Sequence, residues 1–435
     1  MESGRPIQFA ATGDSFITRR LPSEKTKPFE QLSALIHQAD VRFTNLELTI
    51  HRNEGIPSAL SGGSWAMAPP EMLEDLRAYG FNLIAWATNH TMDYLYAGLE
   101  ATERYLNAYG FVHAGAGCNL ASASEPRYLE TAAGRVALIA AASTFHDFQR
   151  AGDQRPDMIG RPGVNPLRFI TTHLLSKERL DVLKEIADIV KINARKNMSI
   201  KNGYAKPAEP GVFEFGMHRF RESPQEGVAT TPHPKDMARI RRSISEAKRQ
   251  ADYVLVSLHA HEMRGDQWEE PADFIEIFAR ACIDEGAHAV IGHGPHILRG
   301  IEIYKRRPIF YSLGNFIFQN ETIARSPADA YEKHGLGHEH TAQDVMDAKS
   351  QYGTRGYVTI PEIYQTVLPI WSMKDGQLQH LDLYPVELGF GKHRSQAGTP
   401  VLSQDESILQ NLQRLSKPYG TKIDIENGIG KVRLA

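Results

Sequence analysis

The chain predicts an α/β fold, and three features of its 435 residues carry that prediction. Short apolar runs rich in Val, Ile, Leu and Phe alternate with stretches of helical periodicity, the pattern of buried strands covered by helices. Proline opens and glycine closes several of the helical stretches, as helix ends favour. Nearly every apolar run also ends in a side chain able to do chemistry, and ligands of open α/β sheets gather at that edge.

Taken in order, "PIQFAATGD" is a strand ending at Gly13, "VRFTNLEL" a second and "FNLIAWATNH" a third. Between the last two, "PPEMLEDLRAYG" puts Met72, Leu73, Leu76 and Tyr79 on one helical face and stops at Gly80; "YAGLEATERYLNAYG" ends the same way at Gly110. "GRVALIAAAS" is another buried strand. From about Phe145 to about Pro234 the alternation stops: "DQRPDMIGRPGVNPLRF" is rich in Arg, Pro and Gly, and "SKERLDVLKEIADIVKINARKN" is a charged helical stretch. A structureless loop of that length is rare in a compact domain, so the segment reads as an inserted subdomain or lid that covers the site. Order resumes with the helix "PKDMARIRRSISEAKRQ", the strand "YVLVSLHAHE", the helix "PADFIEIFARACIDEG", the strand "HAVIGHGPH" and strands within "GIEIYKRRPIFYSLGNFIF". Beyond Gln319 a polar, histidine-bearing stretch leads to late antiparallel strands between Gly353 and Phe390. The expected division is therefore 1–144 and 235–320 as two halves of one domain, 145–234 as the insertion, and 321–435 as a C-terminal extension.

Composition narrows the function. Hydrophobic residues at 41% and charged residues at 23% are ordinary for a globular protein. A net charge of -3, with acids and bases scattered, gives no electrostatic footprint for nucleic acid and points to a small-molecule, peptide or polymer substrate. No basic stretch followed by a long apolar one opens the sequence, and no segment approaches a membrane span. Cys118 and Cys282 make neither a metal spacing nor a disulfide framework, so both are expected to be core thiols in a reducing compartment, the cytoplasm. Oligomeric state is left open.

At the strand ends stand Asp14, then Asn45 and Glu47, Asn89 and His90, His259, His261 and Glu262, and finally His293 and His296. Carboxylate, carboxamide and imidazole without cysteine exclude a thiolate zinc cage and suit a divalent transition metal: Mn, Fe, Co or Zn. Six candidate ligands allow one ion or two bridged by a carboxylate, which would activate water or polarise an oxyanion.

The ordered set "TGD", "NLE", "ATNHTMD", "LHAHE", "IGHGPH" and "YSLGNFIF" resembles the CapA family, the poly-γ-glutamate capsule synthesis proteins, a branch of the calcineurin-like metallophosphoesterase superfamily. The resemblance implies a four-layer αββα sandwich with a metal centre at strand ends. It implies Asp14 and His296 on a first ion, Asn89, His259 and His293 on a second, and Glu47 bridging. His90 resembles the superfamily's proton-transferring histidine, with Asp93 placed to orient it. The chain departs from the pattern at Phe16, where the phosphoesterases have the histidine of Asp-x-His, so the first site is expected to lose a ligand. "HAHEM" replaces the usual "HWGxE", making His261 an added imidazole: a ligand, a general base, or a partner for Glu262, itself a catalytic candidate. Asn315 is expected to fix a turn near the metal or contact substrate, and Arg161 to grip a carboxylate or phosphate. Three functions follow: an enzyme acting on a peptide or polyglutamate, by amide or α-carbon chemistry; a peptide epimerase of the kind that inverts the C-terminal residue of a lasso peptide; or a phosphoesterase or non-catalytic metal-binding capsule scaffold.

Overall fold

The computed structural model describes residues 5–21 and 26–434. Two sheets lie face to face. The larger, ten-stranded, runs in the order Ile423–Glu426, Ile429–Val432, Gln377–Glu387, Gln365–Lys374, Ile7–Phe16, Val41–Leu46, Leu83–Ala85, Val112–Ala114, with Asn315–Phe318 paired to the end of Ile7–Phe16 and Val401–Leu402 to Gln377–Glu387. Its last four strands in that order are mutually parallel. The second, six-stranded, runs Ile301–Tyr304, Arg307–Phe310, Ala289–His293, Tyr253–His259, Gly134–Ala142, Arg127–Thr131, and its four central strands are parallel.

The sequence alternation explains the layering. Phe9, Phe43 and Leu83 from the first sheet share one buried core with Leu138, Leu255, Ile291 and Phe310 from the second. Phe9 stacks on Trp371 with centroids 5.0 Å apart and meets Tyr253 edge-on at 5.7 Å. The opposite face of the first sheet, through Ala10, Leu46 and Ile84, packs against helices Lys27–His37, Met72–Tyr79 and Leu95–Ala108. Ile139, Val254, Val256 and Val290 do the same on the second, against Pro234–Ala247 and Asp273–Glu285. The result is the four-layer αββα sandwich that the motifs implied. Helix Ser407–Ser416 adds Ile408, Leu409, Leu412 and Leu415 to the inter-sheet core. Among the described residues no helix is long and apolar enough to cross a membrane.

Several elements differ from the sequence reading. The first strand continues past Gly13 to Phe16, and the third is only Leu83–Ala85, because the chain turns at Trp86 to present Asn89 and His90. Helix Met72–Tyr79 buries the four residues expected and ends on Gly80 at φ 99°, a left-handed cap that glycine adopts without a Cβ clash. Within the 145–234 segment, Val212–Phe215, His218–Glu222, Phe169–Leu175 and Gly227–Pro232 form a separate four-stranded sheet, accompanied by helices Lys177–Val190 and Ala194–Lys201. That sheet rests on the outer helical layer, Phe169 stacking on Phe274 at 4.4 Å, while Gln149, early in the same segment, donates to Asn89 O at 2.9 Å; the cleft at His261 is lined by Met263, Asp266, Trp268, Pro295 and Tyr357. Cys118 is exposed and not a core thiol; Cys282 is buried.

Candidate metal centre

Register brings the strand ends together. Asp14 lies opposite Asn45, and His259 lies opposite His293 on adjacent parallel strands. The turn at Gly314 crosses so close to Gly13 that a Cβ there would stand 1.9 Å from the Gly314 carbonyl oxygen, which accepts from Asp14 N at 2.9 Å. Asp14 is fully buried: Asn45 Nδ2 donates to its Oδ1 at 2.7 Å and Gly294 N to its Oδ2 at 2.9 Å. Burial alone would raise its carboxyl, but the adjoining His259 and His293 hold it well below the usual carboxylate range.

Around Asp14 Oδ1, His293 Nδ1 stands at 3.4 Å and His259 Nδ1 at 3.6 Å, and the two Nδ1 atoms are 3.0 Å apart. Ligand atoms about 2.1 Å from one ion at tetrahedral to octahedral angles are separated by about 3.0 to 3.4 Å, so two sides of this triangle match a transition metal and the third, 3.6 Å, is slightly longer. Ser257 Oγ holds the far nitrogen of His293, Nε2, at 2.7 Å. The other face of His259 meets Asn89 Oδ1 at 2.8 Å and His261 Nε2 at 3.1 Å. Burial pushes the His259 imidazole down to about 4, so it is neutral and able to donate a lone pair at neutral pH.

Glu47, His261 and His296 form a second group of converging ligand atoms. Glu47 is wholly buried, with Oε1 3.6 Å from His259 Nε2 and Oε2 3.7 Å from His296 Nδ1, yet neither oxygen accepts a hydrogen bond. A buried carboxylate without donors is costly, and a bound cation is what would satisfy both oxygens. His296 has φ 63°, a left-handed conformation uncommon for a residue with a Cβ. It is held there by donating Nδ1–H to Asn315 Oδ1 at 2.9 Å. The Asn315 amide in turn donates to Ile363 O at 2.9 Å and His296 O at 3.2 Å. Asn315 is therefore fully buried and fully engaged behind His296, which corrects its expected place among substrate contacts. The His/Asp clusters as a whole are compatible with a divalent metal site.

His261 lies beside His259 and His296, ring centroids 5.0 and 5.3 Å away, and burial followed by the charges of those two neighbours depresses its pKa well below normal. Glu262 turns elsewhere: its oxygens accept from Ser143 Oγ at 2.6 Å and Thr144 Oγ1 at 3.0 Å. These bonds tie it to the end of the strand Gly134–Ala142 and not to the His261 ring, while burial raises its carboxyl. His90 Nδ1 bonds Asp93 Oδ2 at 2.6 Å, and the same oxygen accepts from Ala66 N at 2.8 Å. A donating Nδ1–H leaves Nε2 of His90 as the basic nitrogen. Phe16 meets His90 edge-on, 5.6 Å between centroids at 84°. Arg161 is exposed, donates to Arg150 O at 3.2 Å within its own turn, and is not brought to the histidines. Sequence reasoning missed Ser257 and Tyr357, whose ring lies 5.2 Å from that of His296. Ser257 had a signal, since it precedes His259 by two on a strand and so shares its face; Tyr357 lies in the stretch expected to form late strands but folds as the 3-10 turn Tyr357–Thr359, ahead of the strand that begins at Gln365.

Residues 8–320 match the family described as bacterial capsule synthesis protein PGA_cap. The chain is 37% identical to the uncharacterized protein y4sH of Sinorhizobium fredii over 98% of its own length and 92% of that protein's. Shorter stretches resemble the PGA biosynthesis protein CapA of Bacillus subtilis, 37% identical over 31% of this chain and 37% of that one. The capsule biosynthesis protein CapA of Bacillus anthracis is 31% identical over 35% of this chain and 41% of that one.

Proposed function

The chain belongs to the bacterial capsule synthesis protein family PGA_cap, and from that premise we propose that it is a metal-dependent enzyme acting on a peptide or poly-γ-glutamate-type substrate by amide or α-carbon chemistry. The observation that carries this reading is Glu47, a carboxylate sealed among imidazoles with both oxygens unpartnered. In this reading Asp14, His259 and His293 hold one ion, and Glu47, His261 and His296 hold a second or complete the first, with Asn89 beside His259. That pairing is supported by the distances and differs from the one the motifs implied. A bound Mn, Fe, Co or Zn ion supplies Lewis acidity toward a carbonyl or carboxylate. Cys118 and Cys282, both free, support a reducing compartment such as the cytoplasm.

The chain's own residues supply the rest. Asp93 holds His90 in one tautomer, leaving Nε2 to take or return a proton. Phe16 and Phe318 put apolar edges beside His90 and His296 and keep water from those rings. A second reading, a peptide epimerase inverting a C-terminal residue, is favoured by one feature: two imidazoles have separate supports, so that the neutral His261 could take the α-proton as base and a proton carried on His90, paired with Asp93, could be returned to the other face. One experiment separates these. The metal-loaded protein is incubated in heavy water with γ-linked and α-linked glutamyl peptides. Deuterium at an α-carbon without cleavage identifies α-carbon chemistry, new termini identify hydrolysis, and absence of both across the peptide set refutes the proposal.

A further inference from the structure

Beyond the residues that match the family, the polar stretch after Asn320 folds back over the loop 59–65. Between them lies a cavity of about 360 Å³. Its walls are apolar where Leu60, Trp65, Val345 and Met346 meet; its partly buried cation is Lys349, and the exposed Lys333 and Asp329 stand at the rim. Lys349 Nζ donates to Ser64 Oγ at 2.8 Å and to Gly63 O at 3.3 Å, both uncharged. An ammonium has three donors, so one remains for a ligand.

The surrounding field is positive. The imidazole of His334 on the same wall is lowered by burial and then by the charges of Lys333, Lys349 and Arg355. Asp329 at the rim and Glu321 behind offset part of that charge, and burial raises the Glu321 carboxyl, which weakens its service as a counter-ion. The cavity also adjoins the metal candidates. Asn89 Nδ2 donates to Gly62 O at 3.1 Å, and a Cβ on Gly62 would stand 2.3 Å from that nitrogen, so the glycine allows the loop to lie directly on Asn89. Ala66, just past the same loop, donates to Asp93.

We propose that this cavity is a subsite for a carboxylate borne on an aliphatic stem, with Lys349 as its counter-ion and the apolar walls receiving the methylenes. A dianionic phosphate recruits a guanidinium fork or several charged donors, whereas one partly buried ammonium between a hydroxyl and apolar side chains, with Lys333 and Asp329 of opposite charge at the rim, matches a monoanion. The subsite rests on the proposed peptide substrate for its natural ligand, a glutamyl side chain or a peptide C-terminus, but its binding can be measured without turnover.

Calorimetric titration of the metal-loaded protein with α-linked N-acetyl-triglutamate, its C-terminal amide and, as the glutamine analogue, the all-glutamine C-terminal amide tests this. The triglutamate should bind the wild type on the order of tenfold more tightly than the glutamine analogue. That preference should fall by roughly the same factor in Lys349→Met and persist in Lys349→Arg, with metal content unchanged. Retained affinity in the C-terminal amide assigns the side chain as the source; lost affinity assigns the terminus. An absent preference in the wild type, or an equal one in Lys349→Met, overturns the subsite. Inorganic phosphate binding more tightly than triglutamate in a Lys349-dependent way would make it a phosphate site instead. Should Lys349→Met not fold, the comparison of wild type with Lys349→Arg and the glutamine analogue decides alone. Selective binding with no chemistry in heavy water would leave the subsite standing and remove the proposed reaction; turnover without selectivity would do the reverse.

Discussion

If Glu47 and the histidines around it hold a cation, that cation must stabilise the fold, and the size of the effect follows from the chain. An unfolding entropy of about 2.1 cal/mol/K per residue over 435 residues gives about 0.9 kcal/mol/K. A metal that binds the native state alone adds about 4 kcal/mol at a thousand times its Kd, which is a rise in Tm of about 4 to 5 °C. Each further tenfold in free metal adds about 1.4 kcal/mol, or about 1.5 °C. Glu47→Gln keeps the volume and replaces the buried anion with a neutral amide, removing the group whose two oxygens lack donors. Its Tm should respond to metal with a smaller slope than the wild type, what remains coming from the group Asp14, His259 and His293. Scanning calorimetry of chelator-stripped protein titrated with Mn, Co and Zn measures both quantities. A wild-type Tm that is the same in chelator and in saturating metal, for all three ions, would falsify the reasoning, and so would a Glu47→Gln protein with the full logarithmic slope.

Replacing His90 with alanine should leave metal content intact by elemental analysis and lower turnover of the responsive peptide by roughly two to four powers of ten; loss of metal along with activity would put His90 in the ligand set. Because Phe16 sets an apolar edge beside His90, p-nitrophenyl phosphate and its bis ester should turn over far below the roughly ten per second typical of enzymes, and ordinary saturation at that rate would favour a plain phosphoesterase. Away from the metal candidates, burial holds His113 down to about 4 and His288 to about 3. In each case the unfolded chain takes up a proton near pH 6.5 that the native state refuses, so stability is complete above about pH 6.5 and lost as pH falls toward 4, by about 3 kcal/mol for each histidine. His288→Asn, whose Oδ1 can accept from Val254 N as Nδ1 does, should flatten the urea-denaturation profile between those pH values; an unchanged slope would count against it.

The strands of the central sandwich could be read directly from the chain because they are parallel and buried on both faces, which makes Leu83–Ala85, Gly134–Ala142, Tyr253–His259 and Ala289–His293 near-continuous apolar runs. The four-stranded sheet between Phe169 and Pro232 escaped notice for the opposite reason. Phe169–Leu175 is half-buried at every position and His218–Glu222 is mostly charged, so neither shows a run or a clean alternation. Helix Lys27–His37 buries only Leu32 and Ile36, too thin a stripe to register. His113 is buried with Nε2 on Asn107 Oδ1 at 3.0 Å, a bond no local pattern announces.

At the site, the residues were visible as strand ends but their grouping was not, since grouping depends on the direction of side chains across two sheets. Asn315 and Glu262 are polar groups whose hydrogen bonds come from chain far away in sequence, Ile363 in one case, Ser143 and Thr144 in the other, and Arg161 is spent on its own loop. Phe16 and His261 make one argument when placed in the structure. The phenyl ring removes an imidazole from the strand that carries Asp14, and His261, two residues past His259, returns one from the neighbouring sheet to the group containing Glu47 and His296. The supply of nitrogen donors around the two carboxylates is thus kept while its position shifts, and the side of the site next to His90 becomes apolar. On the proposed reading a site arranged in that way keeps its capacity for a divalent ion while the ring at Phe16 changes what fits beside His90, so Phe16 would bear on substrate choice and not on whether a metal is held.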